Sequence, residues 1–113
     1  MQETGRGTKA FEHPPVRGRA AALLRADDLA RLPADAAAVV AVVKDPGAVW
    51  LRALGDRLAA IVCTTGTPRS HVGILAAALE VPCIVAADLH GDLDGVEVEV
   101  DCSGSGEDGV VRA

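Results

Sequence analysis

One short stretch carries six residues whose types and spacing could do chemistry together: Thr65, Gly66, Thr67, Arg69, Ser70 and His71. A neutral imidazole is a nucleophile that can accept a phosphoryl group and release it again. The hydroxyls of Thr65, Thr67 and Ser70 and the backbone N–H groups of a Gly-containing turn suit the oxygens of that group. Arg69 adds a positive charge that either pairs with a phosphate or stays exposed. The chemistry these residues could support is therefore phosphoryl transfer through His71, or anion binding without a covalent step.

Such a site needs an element that holds it. Ala59-Ala60-Ile61-Val62-Cys63 is a short apolar run and reads as a buried strand leading into the site. Gly66 and Pro68 then break the strand with turn chemistry. Ser70 is a good N-cap residue, because its hydroxyl can accept from free N–H groups of the first helical turn. Val72, Leu75, Ala76 and Leu79 follow at i, i+3, i+4 and i+7, which is one apolar face of a helix. Pro82 ends it and pushes Val81 out of helical geometry. His71 thus falls in the first turn of a helix. Unpaired N–H groups and the positive end of the macrodipole favour an anion there and disfavour a protonated imidazole. Read from spacing alone, the same residues also describe a surface histidine near a helix start that has no role.

Other chemistries fit less well. Gly66 to Gly73 has part of the spacing of a Walker loop, but no lysine follows Gly73. Ser70 is flanked by Pro68 and Val72 at the positions where a nucleophile elbow needs glycine. Ser70 and His71 are adjacent, and helical neighbours point about 100° apart, so they are not a nucleophile–base pair. Cys63, Cys83 and Cys102 form no CxxC pair and are odd in number, which argues against a disulfide framework. Cys63 and Cys83 lie in apolar runs as small core residues. With His13, His71 and His90 as the only histidines, no metal site is expected.

The 113 residues suffice for one domain with a real core. A formal net charge of −5, with Phe11 and Trp50 as the only aromatic residues, argues against nucleic acid as a partner. No run of 18 or more residues is apolar, so no membrane span is expected. Met1 to Lys9 lack the apolar core of a signal peptide, which makes a cytoplasmic address the expectation.

Along the chain, residues 1–14 read as a flexible lead-in ending at Pro14-Pro15, and 15–113 as the folded domain. Val16 to Leu24 is an extended, bending strand with Arg17 and Arg19 on a solvated face. Asp27 to Leu32 is a short helical turn. Ala36 to Val43 is a buried central strand. Asp45-Pro46 starts a helix that carries Trp50, Leu51, Leu54 and Leu58 toward the core. After the site helix, Pro82 to Ala87 is another buried strand, and 88–94 is a polar connection. Val96 to Val100 alternates strictly, with Glu97 and Glu99 toward water. Val110-Val111-Arg112 pairs back on it. This order gives a single α/β domain.

Gly66-Thr67-Pro68-Arg69-Ser70-His71-Val72-Gly73-Ile74-Leu75-Ala76, followed by Leu79-Glu80-Val81-Pro82-Cys83-Ile84-Val85, resembles the mobile phosphohistidine domain of phosphoenolpyruvate-utilising enzymes. That family includes pyruvate phosphate dikinase, phosphoenolpyruvate synthase and rifampicin phosphotransferase. Arg17 to Ala20, Val40 to Pro46, Asp94 to Asp101 and Gly109 to Val111 extend the likeness over most of the chain. Three positions depart from the pattern: Arg69 stands where several members have Thr, Gly73 where Ala is usual, and Ala78 where an Arg is common, which removes one expected anion contact. The resemblance implies a swivelling β/β/α phosphohistidine domain in which His71 carries the phosphoryl group, with Gly66, Thr67, Ser70 and Thr65 cradling it. It also implies partners: an ATP-grasp nucleotide-binding subunit that holds ATP and Mg, and a subunit that binds phosphoenolpyruvate or another acceptor. Without those partners the chain turns over no substrate. The expected role is a stand-alone carrier subunit of a split phosphoenolpyruvate-synthase-like phosphotransferase. The alternatives are a non-catalytic interaction module that keeps the fold, or a small-anion-binding domain.

Overall fold

Val39-Val40-Ala41-Val42-Val43 is buried at every position but Val42, and the sheet is built outward from it. The computed structural model describes residues 1–113. Its strands are β1 (Glu3–Lys9), β2 (His13–Ala22), β3 (Val39–Val43), β4 (Leu58–Cys63), β5 (Cys83–Leu89), β6 (Glu97–Cys102) and β7 (Asp108–Arg112). The single α-helix is α1 (His71–Leu79), and short 3₁₀ segments cover Ala26–Arg31 and Val49–Arg57. The strands close a barrel in the order β1-β5-β4-β3-β2-β6-β7. Strands β2, β3, β4 and β5 run parallel, while β1, β6 and β7 join antiparallel. The expectation of a single α/β domain is met in part: the chain forms one domain with a mixed sheet and few helices, and the sheet curls into a closed barrel.

Strand alternation splits the apolar residues into two cores. Val40, Ala60, Val62, Ile84, Val98, Val100 and Val111 fill the barrel interior. Val39, Ala41, Val43, Ile61, Cys63, Cys83 and Val85 point outward, where Val72, Leu75 and Ala76 of α1 and Leu51 and Leu54 cover them. One extra residue, Ala59, bulges between the pairs Val39↔Leu58 and Val40↔Ala60. Helical structure therefore lies on the parallel part of the barrel, where crossovers must run.

Several expectations are corrected. Residues 1–14 are no flexible lead-in: β1 pairs with both β5 and β7, and β2 starts at His13. The stretch Met1 to Lys9 hides this role because its strand has few large apolar residues; Gly5 and Gly7 let neighbouring backbone come close. β5 runs on to Leu89 because β1 is there to pair with it, through Gly5↔Leu89. The helix expected after Asp45-Pro46 is a 3₁₀ segment broken at Gly55, whose φ is +53°. No helix is long and apolar enough to cross a membrane.

Glu99 does not simply face water. It accepts from Arg112 Nη1 at 2.9 Å and pairs with Arg17 at 3.3 Å, and Arg112 also reaches Asp101 at 2.9 Å. Hydrogen bonds from the Ser103 hydroxyl and amide, with Arg112 beside them, hold the Asp101 carboxyl at about 2, down from 3.8. A depressed folded-state pKa means the unfolded chain takes up this proton first. The stability Asp101 contributes is then complete above pH 3.8 and lost as the pH falls toward 2. Asp101→Asn is expected to be less stable at neutral pH and to lose less stability than the wild type between pH 4 and 2. Urea midpoints across that window check this, and parallel curves for the two proteins would contradict it.

Candidate functional site

Parallel neighbours end at the same edge of a sheet, so the loops that follow β3 and β4 lie side by side. This places His71 against Asp45-Pro46-Gly47. Beyond Cys63, Thr64 N donates to Val43 O at 3.0 Å, and the two strands finish together. Thr65 is tied on both sides. Its hydroxyl donates to Lys44 O at 2.6 Å, and its carbonyl accepts from Ala86 N at 3.0 Å. Ala86 sits at a positive φ of 50°, where β5 bulges against β1 between Arg6 and Thr8.

Gly66 turns the chain at φ +89°. A Cβ there would lie 2.8 Å from Ser70 Oγ and 2.9 Å from Pro46 Cβ, so this position requires glycine for space as well as for conformation. Ser70 precedes α1 but does not cap it with its side chain, contrary to the expectation. Its Oγ instead accepts from Thr67 N at 2.8 Å, while Ser70 N donates to Thr67 O at 2.9 Å. Thr67 Oγ1 accepts from Arg69 N at 3.3 Å. The hydroxyls thus close the turn on itself, because Gly66 brings Thr67 and Ser70 together. Those of Ser70 and Thr67 act as acceptors and keep their protons to donate elsewhere. Thr65 has already given its proton to Lys44 O.

The start of α1 is fastened to the other loop. Val72 N donates to Pro46 O at 2.9 Å, and Ile74 N to Ser70 O at 3.1 Å. The N–H groups of His71 and Gly73 make no hydrogen bond within the chain. They are the donors left open at the helix start. His71 itself is exposed. Its Nδ1 lies toward the Gly47 backbone, 3.8 Å from where a Cβ on Gly47 would be.

Two depressions meet at His71. Pro46, Gly47, Arg69, Ser70 and His71 line the first. Val49, Arg52, His71, Ile74, Leu75 and Ala78 line the second. Of the residues singled out in the sequence, Arg69, Ser70 and His71 share a surface. Thr65, Gly66 and Thr67 stand behind them as a frame and line neither depression. The sequence reading missed Pro46, Gly47, Val49 and Arg52. Their signal was the position of Asp45-Pro46-Gly47 just after a buried strand that pairs in parallel with the strand before the site.

The cysteines stay out of this chemistry. All three are buried and free. Burial pushes the Cys83 thiol up to about 12 and the Cys102 thiol up to about 11, so both are protonated at neutral pH and poor nucleophiles. Cys63 Sγ lies 3.8 Å from Thr65 Oγ1, beneath the turn. No group of three or more His, Cys, Asp and Glu side chains is placed to hold a metal ion.

What the arrangement can do is present an exposed imidazole beside two open N–H donors, a hydroxyl and a guanidinium. A family model described as "PEP-utilising enzyme, mobile domain" matches residues 34–104. No curated protein matches the chain. The matched segment holds β3 to β6, the turn and His71. Strands β1, β2 and β7, which complete the barrel, lie outside it.

Proposed function

The chain belongs to the mobile-domain family of PEP-utilising enzymes, and from that premise we propose that it is a phosphohistidine carrier whose carrying residue is His71. The observation that carries the reading is the exposure of His71 at the first position of α1, between two depressions and beside the open N–H groups of His71 and Gly73.

The steps follow from that placement. Nδ1 lies on the Gly47 side of the ring, and we assign the attack to the other ring nitrogen, Nε2. Its lone pair forms a bond to the phosphorus of a donor while the phosphorus–oxygen bond to the leaving group breaks. The phosphoryl oxygens accept from the open N–H groups, from Ser70 Oγ and from Arg69. In the second step an acceptor oxygen attacks the phosphorus, the N–P bond breaks, and neutral imidazole returns. The protein's contribution is position and charge, as is general for phosphoryl transfer.

The donor and acceptor sites belong to partners. An ATP-grasp subunit would hold ATP and Mg, and a second subunit would bind phosphoenolpyruvate or another acceptor. The family's swivelling motion between the two sites suits this unit. β1 and β7 close its sheet, and Gln2 and Ala113 exchange backbone hydrogen bonds at 2.8 and 2.9 Å. What the unit needs from its partners is reactive sites, not a sheet edge. We place it in the cytoplasm, as the carrier subunit of a split phosphotransferase.

The test adds the purified protein to an extract of its host with ATP labelled at the β-phosphate, or with labelled phosphoenolpyruvate. Acid-labile, alkali-stable label on the protein is the expected result, and the better donor identifies the loading partner. Absence of label from both donors, in an extract that labels another family member, would favour the non-catalytic interaction module.

A further inference from the structure

The chain has 11 Lys and Arg side chains, and most are already engaged. Arg6, Arg17, Arg31 and Arg112 pair with carboxylates, while Lys9, Arg19 and Arg57 donate to carbonyls. The side chains of Arg25, Lys44, Arg52 and Arg69 make no hydrogen bond or ion pair within the chain. Two of these four, Arg69 and Arg52, line the two depressions that share His71, one in each. No carboxylate lines either depression. Asp45, whose Oδ1 accepts from the Gly47 N–H at 2.8 Å, lines neither depression. Apart from His71, the side chains around Arg52 are apolar: Val49, Ile74, Leu75 and Ala78.

Two unpaired arginines, one in each of the depressions that share His71, in a chain of net charge −5, suit an anion held at that imidazole. We infer that Arg52 is a phosphate-binding residue and completes, with Arg69, a two-sided clamp on the phosphoryl group carried by His71. This rests on the carrier reading above. A planar guanidinium can present two N–H groups to two phosphoryl oxygens, which a lysine cannot do in the same geometry.

Phosphoramidate tests this without any partner. The His71 nitrogen bonds to its phosphorus, the phosphorus–nitrogen bond breaks, and ammonia leaves. The His71 phosphorus resonance is identified by its absence from His71→Ala, and its titration is followed against pH. A cation on the phosphoryl group favours the dianion, so Arg52→Ala is expected to raise the midpoint. The expected shift corresponds to about a two- to fivefold change in the protonation equilibrium, the range for an exposed ion pair. Arg52→Lys is expected to recover part of it, and Arg25→Ala to leave it unchanged. A loaded Arg52→Ala protein whose titration superimposes on the wild type overturns this inference alone. A wild type whose His71 takes no phosphoryl group overturns the carrier reading as well.

Discussion

His71→Ala is expected to fold like the wild type and to take up no acid-labile phosphoryl label. The side chain is exposed, and none of its ring atoms makes a hydrogen bond within the chain. Removing it empties no cavity and orphans no partner. Alanine also suits the first turn of a helix, so the change in stability should stay within about 0.5 kcal/mol. The chemical loss is of a different size. No other group at the site can supply such label: phosphate esters of Thr65, Thr67 or Ser70 are acid-stable, and Cys63 lies buried beneath the turn. Label should therefore fall by at least about a hundredfold, since the reacting atom itself is gone. A melting curve and a labelling assay on the same preparation separate the two statements. Wild-type labelling in a folded His71→Ala protein would mean that the phosphoryl group sits elsewhere.

Gly73→Ala should destabilise the protein, against what helix propensity alone would say. In an unconstrained helix the substitution gains about 1 kcal/mol. Here a Cβ on Gly73 would collide with the carbonyl oxygen of Pro68 and lie 3.0 Å from its carbonyl carbon. Those are backbone atoms of the turn that Thr67 and Ser70 pin, and the helix start is pinned in turn by Val72 N to Pro46 O. Neither side can yield without loosening the site. Overpacking of this kind costs about 1–3 kcal/mol, and the net effect is a fall in stability. For a domain of this size each kcal/mol lowers the midpoint of thermal unfolding by about 4–8 °C. Labelling of His71 should fall too, because relief of the clash moves Pro68, Arg69 and Ser70. A higher melting temperature in Gly73→Ala would show that the turn packs less tightly against α1 than described. The same contact explains why glycine stands where the family usually has alanine: this turn carries Pro68 close beneath the helix.

The helix and its neighbouring strands were legible because their signals are local. Val72, Leu75 and Ala76 keep helical spacing, Pro82 ends the helix, and β3 and β4 are short runs of small and β-branched residues. His71 at the helix start could be read the same way. Two things could not. β1 is nearly devoid of large apolar residues, and its place in the barrel depends on partners some 80 and 100 residues away, in β5 and β7. The second wall of the site was equally hidden. Pro46, Gly47 and Arg52 reach His71 only because β3 and β4 are parallel neighbours, and no local pattern states which strands pair. The individual roles of the hydroxyls also needed the fold. Thr65, Thr67 and Ser70 look equivalent in the sequence, yet Thr65 spends its proton on Lys44 O while Ser70 closes the turn and borders the first depression.

The most direct test of His71 as carrier is a proton–phosphorus correlation spectrum of the protein after loading in host extract and repurification. One phosphorus resonance coupled to the imidazole protons of His71 is expected, with a pattern that places the phosphoryl group on Nε2. A phosphorus resonance coupled instead to the side-chain protons of Ser70 or Thr67, or to another histidine, would contradict it.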